Sequence, residues 1–286
     1  MGAMEIGVMS SPRADGGNEF ELVAKYGLRV TQFSIWNPAR LTPEYAAKVK
    51  ADAAATGVRI AAIWAGYSGP AKWNFIEGPA TLGLVPPEYR AQRVQELKRA
   101  ADFAAWCGVP AIISHCGFVP ENPGDPLYAP TVAATREVAQ HCLERGISFW
   151  FETGQETPVT LLRVIEDVAL PNLGVNLDTA NLILYGKANP LDALDVIGIY
   201  VRNLHAKDGL YPTNGRQLGK EVPIGKGKVN FRKIIARLHE LGFTGDIIIE
   251  REIKGPQQVK DIQKAIRYLR RIIDRTLASK QGETKC

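Results

Sequence analysis

Short apolar runs alternate with amphipathic stretches along the whole chain. The runs are often rich in valine and isoleucine, which is typical of strands that are buried on both faces. Their positions predict eight strands, at residues 5–9, 30–35, 59–64, 111–115, 147–152, 174–178, 201–205 and 246–250. Amphipathic segments lie between these runs, so the pattern indicates a repeated β–α unit.

Several of the intervening stretches carry the spacing and the end signals of helices. Residues 42–56 begin with Thr-Pro-Glu, a helix N-cap followed by proline in the first turn. Residues 87–107, 230–241 and 257–277 place apolar side chains at helical spacing. A glycine, which supplies a left-handed C-cap, ends four of the helical stretches before the next strand: Gly57, Gly108, Gly146 and Gly242.

Eight such units without a linker predict a closed (β/α)8 TIM barrel, formed as a single domain by residues 1–286. The length supports this, because one such barrel typically uses about 250 residues. The alternative is an open, doubly wound sheet, which would normally show a glycine-rich phosphate turn after its first strand. Ser10-Ser11-Pro12-Arg13 stands there instead. Three long segments, 65–86, 117–130 and 207–229, follow predicted strands, and we expect them to form walls or lids.

Charged side chains stand at the ends of the last four predicted strands. They are Glu152, Asp178, His205 and Glu250. Burying such a residue unpaired costs several kcal/mol or more, whereas the carboxyl ends of barrel strands meet on one face, where sites form. We therefore predict a site for one divalent cation. Its oxygen-rich ligand set favours Mn²⁺, Mg²⁺ or Co²⁺ and leaves Zn²⁺ open.

Each of these four residues also has a simpler interpretation. Glu152 would serve a buried ion pair, and Asp178 would cap the next helix. His205 would be a core histidine with its hydrogen bonds satisfied. Glu250 is followed by Arg251 and Glu252, so it would belong to a surface cluster of charges. Their occurrence at four consecutive strand ends favours the metal site.

Five motifs follow in order at or after these strand ends: Phe151-Glu152-Thr153-Gly154, Leu177-Asp178-Thr179-Ala180-Asn181, Leu204-His205-Ala206-Lys207-Asp208, the segment 223–231 (PIGKGKVNF) and Ile249-Glu250. Their order and spacing resemble the sugar phosphate isomerase/epimerase superfamily. This is the xylose isomerase-like barrel group, which includes ketose 3-epimerases, hydroxypyruvate isomerase, inosose dehydratase and endonuclease IV. The resemblance covers nearly the whole chain and is strongest from 148 to 250.

The resemblance implies a metal-dependent sugar isomerase or epimerase that moves a proton beside a carbonyl through an enediolate. In ketose epimerases of this group, Glu, Asp, His and Glu from the last four strands hold the metal. These roles fall on Glu152, Asp178, His205 and Glu250, and the two glutamates act there as acid and base. Epimerases often have a substrate-contacting histidine three residues after the metal-binding aspartate, whereas this chain has Asn181.

Other residues near these strand ends are candidates for contact with a carbohydrate substrate. His115 ends the fourth predicted strand, and Lys207 lies two residues after His205, on the same side of the strand. We add Asn181 and Trp73 to this set. His115 is alternatively a support for a metal ligand, and Lys207 an ion-pair partner of Asp208 or of a barrel carboxylate. The remaining candidates for an apolar sugar wall are Trp36, Trp64 and Phe118.

Three other functions fit the same pattern less well. A lyase or dehydratase would use the same enolate to expel a hydroxyl group. An endonuclease IV-like nuclease would use a trinuclear zinc site and more histidines than the four in this chain. A non-catalytic metal-binding or sugar-binding barrel is a further alternative, and the pair of glutamates placed as acid and base argues against it.

Composition and charge narrow the expected partners. The net charge of +5 reflects basic residues that recur at helical spacing within 257–277, which we interpret as a solvated face rather than a nucleic-acid surface. The four cysteines form no CxxC pair, which is typical of a reducing compartment. We find no signal peptide and no apolar segment of membrane-spanning length. We expect a cytoplasmic protein that binds neither nucleic acid nor membrane, and we leave open whether it is a homo-oligomer.

Overall fold

The computed structural model describes residues 4–283, with side chains described up to Ala278. The strands of this part are β1 (Ile6–Ser10), β2 (Val30–Ile35), β3 (Arg59–Ala65), β4 (Ala111–Ser114), β5 (Ser148–Glu152), β6 (Leu173–Asp178), β7 (Val201–Ala206), β8 (Asp208–Leu210), β9 (Lys220–Val222) and β10 (Ile247–Ile249). The helices are α1 (Glu21–Lys25), α2 (Pro43–Thr56), α3 (Pro87–Cys107), α4 (Tyr128–Glu144), α5 (Pro158–Val168), α6 (Thr179–Leu184), α7 (Pro190–Ile197), α8 (Phe231–Glu240) and α9 (Pro256–Glu283).

Eight of these strands close into one parallel barrel. Their order around the ring is β1-β10-β7-β6-β5-β4-β3-β2, and every neighbouring pair is parallel. Helices alternate with the strands along the chain. This confirms the predicted single-domain TIM barrel, and all eight predicted strands are present with ends shifted by at most one residue. The domain bounds at 1 and 286 remain a prediction.

The predicted helix ends explain why the units begin and stop where they do. Thr42 Oγ1 accepts a hydrogen bond from the Tyr45 amide at 3.2 Å, so it caps α2 as expected. Gly57 and Gly108 end α2 and α3 with φ of 64° and 71°. A side chain would strain this left-handed backbone. Each helix therefore stops at its glycine and the chain turns back into the next strand.

The barrel separates two kinds of interior. The large apolar core lies between strands and helices and includes Phe33, Ile63 and Leu177. Inside the barrel, a small apolar cluster around Trp64 and Ile113 lies beside a polar group of side chains. That polar group faces the carboxyl ends of the strands and forms the base of the site described below.

The structure differs from the sequence prediction mainly after β7. Segment 207–229, for which the sequence predicted a wall or lid without strands, contains the antiparallel hairpin β8–β9, in which Asp208 pairs with Val222. Two strand ends also move. His115 and Glu250 were each predicted to close a strand, whereas β4 ends at Ser114 and β10 at Ile249. The Glu250 amide still bonds to the Ala206 carbonyl at 3.2 Å, so the strand pairing guides this side chain.

The structure also describes three further features that the sequence analysis raised. The basic residues of α9 that the sequence assigned to a solvated face are exposed, among them Lys264 and Arg271. Cys107, Cys116 and Cys142 are buried free thiols, and Cys286 lies outside the described residues. Among residues 4–283, none of the helices combines the length and the apolar character needed to cross a bilayer.

Candidate active site

The four charged residues from the last strands meet at the carboxyl end of the barrel. Each of Glu152, Asp178, His205 and Glu250 offers one nitrogen or oxygen atom, and these four atoms all lie within 4.8 Å of one another. The pairing of β6 with β7 sets Asp178 directly beside His205. Glu152 reaches the same point from β5, and Glu250 from the first residue after β10. We call this group the carboxylate–histidine cluster.

His205 is the centre of this cluster. Its Nδ1 atom lies 2.9 Å from Glu152 Oε1, 3.2 Å from Glu250 Oε2 and 3.5 Å from Asp178 Oδ2. Its Nε2 atom lies 2.6 Å from Gln32 Oε1, and the Gln32 amide donates to Asn176 Oδ1 at 3.0 Å. Gln32 therefore accepts the Nε2 proton, and Nδ1 is presented to the carboxylates.

The two carboxylate oxygens of Asp178 face different partners. Oδ1 accepts a hydrogen bond from the Asn181 amide at 2.7 Å and caps α6, as the simpler interpretation expected. Oδ2 points to the cluster and has no hydrogen-bond partner among the described residues. His205 Nδ1 likewise has none in acceptable geometry. Such orphaned polar atoms are costly in a fully buried place, and both would be satisfied by a cation at the centre of the cluster.

Burial and charge set unusual pKa values in the absence of a metal. Burial raises the pKa of Asp178 to about 7. Burial opposes the ionised form of Glu250 too, but Lys207 and His205 outweigh it and hold the pKa of Glu250 well below its usual range. His205 is also buried, yet Glu152 and Glu250 hold its pKa well above the usual value. In the metal-free cluster the carboxylates therefore face two cationic groups, His205 and Lys207.

Lys207 is buried against the cluster. Its ammonium lies 3.3 Å from Glu250 Oε2, 3.0 Å from Glu252 Oε1 and 3.2 Å from Asn181 Oδ1. The ion pair with barrel carboxylates expected as the alternative is present, and the adjacent Asp208 bonds to backbone amides instead. Lys207 thus balances part of the negative charge. Its predicted contact with substrate stays a prediction.

A cavity of about 330 Å³ opens directly above the cluster. Five predicted site residues line it: Glu152, Glu250, His115, Asn181 and Trp73. Trp36 and Trp64, two of the candidates for a sugar wall, also line it. The other lining residues were not selected by the sequence analysis: Met9, Ser34, Leu184, Tyr185, Leu218 and Glu252. Among these six residues, only Glu252 had a signal in the sequence, because it lies two positions after Glu250, just past the last strand. The volume is in the range of small-molecule sites.

One wall of the cavity is aromatic. The Trp36 ring lies 4.9 Å from Trp64 and 6.1 Å from Trp73, and Trp73 lies 5.0 Å from His115. Trp36 and Trp73 remain 42% and 38% exposed, so their faces are open to a ligand. Trp64 is buried, and its Nε1–H donates to Glu152 Oε2. Trp64 therefore belongs to the wall and also orients Glu152.

His115 extends this wall towards the cluster. Its Nε2 atom lies 3.7 Å from Glu152 Oε2, and its Nδ1 atom has no hydrogen-bond partner among the described residues. Burial lowers the pKa of His115, so the ring is neutral at pH 7. His115 lines the cavity, and a neutral imidazole can exchange a hydrogen bond with a ligand hydroxyl.

Comparisons with known proteins agree with this geometry. A family model described as xylose isomerase-like TIM barrel matches residues 20–272. The chain is similar to a crystal structure of a xylose isomerase domain protein from Planctomyces limnophilus, with 38% identity, a TM-score of 0.90 and coverage of 96% of this chain and 99% of that one. It is 28% identical to an uncharacterized protein from Methanocaldococcus jannaschii over 182 residues, which are 59% of each chain.

More distant structures share the fold. One is a D-tagatose 3-epimerase-like protein, with 20% identity, a TM-score of 0.74 and coverage of 95% of this chain and 99% of that one. Another is a xylose isomerase-like TIM barrel protein from Mycobacterium smegmatis in complex with magnesium. It has 20% identity, a TM-score of 0.71 and coverage of 97% and 100%.

Proposed function

The chain belongs to the xylose isomerase-like TIM-barrel family, and on this premise we propose that it is a divalent-metal-dependent sugar isomerase or epimerase. Its reaction moves a proton at a carbon next to the carbonyl of a ketose or keto-sugar, through an enediolate. The partner is a small carbohydrate, and the metal is Mn²⁺, Mg²⁺ or Co²⁺, with Zn²⁺ as a further choice. The distant epimerase-like neighbour is consistent with this reaction class.

One observation carries the proposal. Two glutamates, the buried Glu152 and the partly buried Glu250, line the same cavity from strands on different sides of the barrel. Two other strands, β6 and β7, separate their strands around the ring. A substrate held between them would present a different face of its reacting carbon to each carboxylate. This is the arrangement that epimerisation needs, because one face loses a proton and the other gains one.

The metal would be held by Glu152, Asp178, His205 and Glu250. The fit rests on the orphaned Asp178 Oδ2 and His205 Nδ1 atoms and on an oxygen-rich donor set. When bound, a divalent cation stabilises the negative charge that develops on the carbonyl oxygen of the substrate.

The protein's own groups then have distinct roles. Lys207 lies against Glu250 and keeps it ionised, so Glu250 is suited to removing the proton. Glu152 would enter the step protonated and return that proton to the carbon from the other side, while Glu250 keeps the proton that it removed. Exchange with solvent would then restore the starting protonation, and Trp64 fixes the orientation of Glu152. His115 and Asn181 line the cavity beside these carboxylates and hold substrate hydroxyls. The aromatic wall excludes water from one side of the substrate.

The test is proton exchange with solvent. Metal-loaded protein is incubated in D₂O with a panel of ketoses and keto-glycosides, and products are followed by NMR. We expect deuterium at the carbon beside the carbonyl, together with an epimer or an aldose–ketose isomer. Glu250→Gln should lose turnover and keep some substrate affinity, because the amide is nearly isosteric but carries no transferable proton. Metal content is measured in the same samples, and the exposed Glu240→Gln is the matched control.

Two outcomes would redirect the proposal. Release of water with a dehydrated product would identify a lyase that uses the same two glutamates. Turnover without deuterium in carbon would point to direct hydride transfer, and the two-base role of Glu152 and Glu250 would then be wrong. Full activity of Glu250→Gln with normal metal content would also contradict it.

A further inference from the structure

We propose that the substrate of this site carries no phosphate group, because carboxylates of the protein already occupy the places on the active face that would hold one. This inference rests on the proposed function and narrows its substrate class to uncharged carbohydrates. Three separate regions support it: the charge of the cavity lining, the glycine-rich loop between β9 and α8, and the N-terminus of α5.

The cavity lining is acidic. Three carboxylates, Glu152, Glu250 and Glu252, line it, and its residues include neither lysine nor arginine. The nearby Lys207 is 1% exposed and engaged by Glu250 and Glu252. Phosphate recognition normally uses arginine, lysine or free backbone amides, so this lining repels a phosphate ester. The open indole faces of Trp36 and Trp73 instead suit the apolar faces of an uncharged sugar.

The glycine-rich loop before α8 has the form of an anion-binding nest, but Asp208 fills it. Backbone amides of Gly225 and Gly227 donate to Asp208 Oδ2 at 2.8 and 2.9 Å. Gly209 and Val229 donate to Oδ1 at 2.9 and 3.1 Å. The loops after strands seven and eight of TIM barrels frequently bind phosphate. Here four backbone amides converge on a carboxylate from the chain itself.

The fit between this loop and Asp208 is tight. A Cβ atom added at Gly227 would lie 2.1 Å from Asp208 Oδ1, and Gly225 has a φ of +82°. Asp208 is 1% exposed, so a ligand has no access to these amides while the carboxylate is in place. The glycines of the motif are therefore explained by an internal anion rather than by a bound phosphate.

A carboxylate also covers the N-terminus of α5, which begins on the active face. Glu121, from the loop after β4, accepts hydrogen bonds from the hydroxyl groups of Thr157 and Thr160. The Thr157 amide adds a longer contact of 3.4 Å to Glu121. Helix N-termini attract anions through their free amides and dipole. Glu121 takes this position on α5, as Asp178 does on α6.

Paired ligands test the inference directly. Metal-loaded wild-type protein is titrated calorimetrically with a six-carbon ketose, its 6-phosphate ester and inorganic phosphate, and turnover of both sugars is measured. We expect the free ketose to bind and react at least tenfold better than the ester. Glu252→Gln should reduce the preference for the free ketose over its phosphate ester several-fold, whereas Glu240→Gln should leave this preference unchanged. Equal or better use of the ester would overturn the inference and leave the proposed function intact. If neither sugar binds nor reacts, the proposed function fails and the inference fails with it.

Anion rescue tests the filled nest by a readout that needs no substrate. Asp208→Ala should lower the melting temperature by several degrees, and phosphate or sulfate should restore part of this loss, unlike chloride at equal ionic strength. The melting temperatures of wild-type protein and of the exposed-surface variant Asp274→Ala should rise distinctly less on addition of phosphate. An equal gain in wild type would reveal an open anion site and overturn the inference. Should Asp208→Ala fail to fold, the ligand comparison in wild type still decides the question.

Discussion

The Nε2 atom of His205 lies 2.6 Å from Oε1 of Gln32, although the two residues are 173 positions apart in the sequence. Both side chains are fully buried, one on β7 and the other on β2. This hydrogen bond fixes which ring nitrogen carries the proton and turns Nδ1 towards Glu152, Asp178 and Glu250. Partners of this kind orient a metal-ligating histidine and raise its basicity.

Gln32→Leu should therefore weaken metal binding without touching any of the four proposed ligands. Leucine has a similar size but cannot accept the Nε2 proton, so His205 loses its fixed tautomer. We expect a loss of about 10-fold to 100-fold in metal affinity, measured by titration of metal-free protein with Mn²⁺. The same substitution at Gln140, which is exposed on α4, is the control. Equal affinities in the two variants would show that Gln32 does not support the site.

The sequence predicted the barrel because its signals are local. Each strand is a short apolar run, and glycines such as Gly57 and Gly108 mark the helix ends by their own backbone requirements. The four cluster residues could be predicted from the sequence for the same reason, since each stands at a strand end. Topology then brings them together without any further information.

Residues that act through distant contacts were not predictable in this way. Gln32 lies in the middle of an apolar strand, and only its position opposite His205 across the barrel gives it a role. The three-residue strands of the β8–β9 hairpin are too short for a readable alternation. Tyr185 and Leu218 reach the cavity only because helix α6 and this hairpin pack against each other.

We expect one divalent cation per chain, measured by elemental analysis after reloading with Mn²⁺. His205→Ala should bind distinctly less, while His239→Ala on α8 should match wild type.

Asp178→Asn separates the two roles of this residue, capping α6 and holding the metal, because asparagine also caps helices well but carries no charge. It should keep the melting temperature within a few degrees and lose metal. Binding should weaken as pH falls, since His205 must lose a proton to act as a ligand. Unchanged stoichiometry in both site variants would remove the metal hypothesis.

Trp64→Phe tests the orientation of Glu152. Phenylalanine keeps an aromatic ring beside Trp36 and His115 but cannot donate to Glu152 Oε2. A hydrogen bond to a charged group is worth about 1.5–3 kcal/mol, so we expect kcat to fall by roughly tenfold to a hundredfold. Metal content should be unchanged. Trp106→Phe, an exposed position on α3, is the control. An unaltered kcat would show that Trp64 contributes only to the aromatic wall and does not orient Glu152.

Bound sugar should protect the two loops that follow β3 and β4. Trp73 brings the first of them to the cavity, and Glu121 fastens the second to α5. We expect slower amide hydrogen exchange within 66–86 and 117–127 when a ketose is added to metal-loaded protein. Peptides from the opposite end of the barrel serve as the internal reference. Protection confined to that opposite end would place the ligand elsewhere.

Glu156 gives the protein a specific dependence of stability on pH. It is 3% exposed, its Oε2 atom has no hydrogen-bond partner among the described residues, and burial raises its pKa from 4.5 to about 8. Between these two values the folded state holds a proton that the unfolded state releases. The free energy of unfolding therefore falls as pH rises through this window, by up to roughly 1.4 kcal/mol per pH unit from this group.

Glu156→Gln should remove this dependence, because the amide stays neutral at every pH. Urea unfolding at intervals from pH 5 to pH 9 should give wild type a steeper decline in stability than the variant. The difference should favour the variant increasingly up to about pH 8 and then level off. A constant offset between the two proteins would reflect only the altered packing of the side chain, so the slope is the decisive quantity. Glu240→Gln should retain the wild-type slope, and parallel curves for wild type and Glu156→Gln would show that Glu156 is ionised in the folded protein.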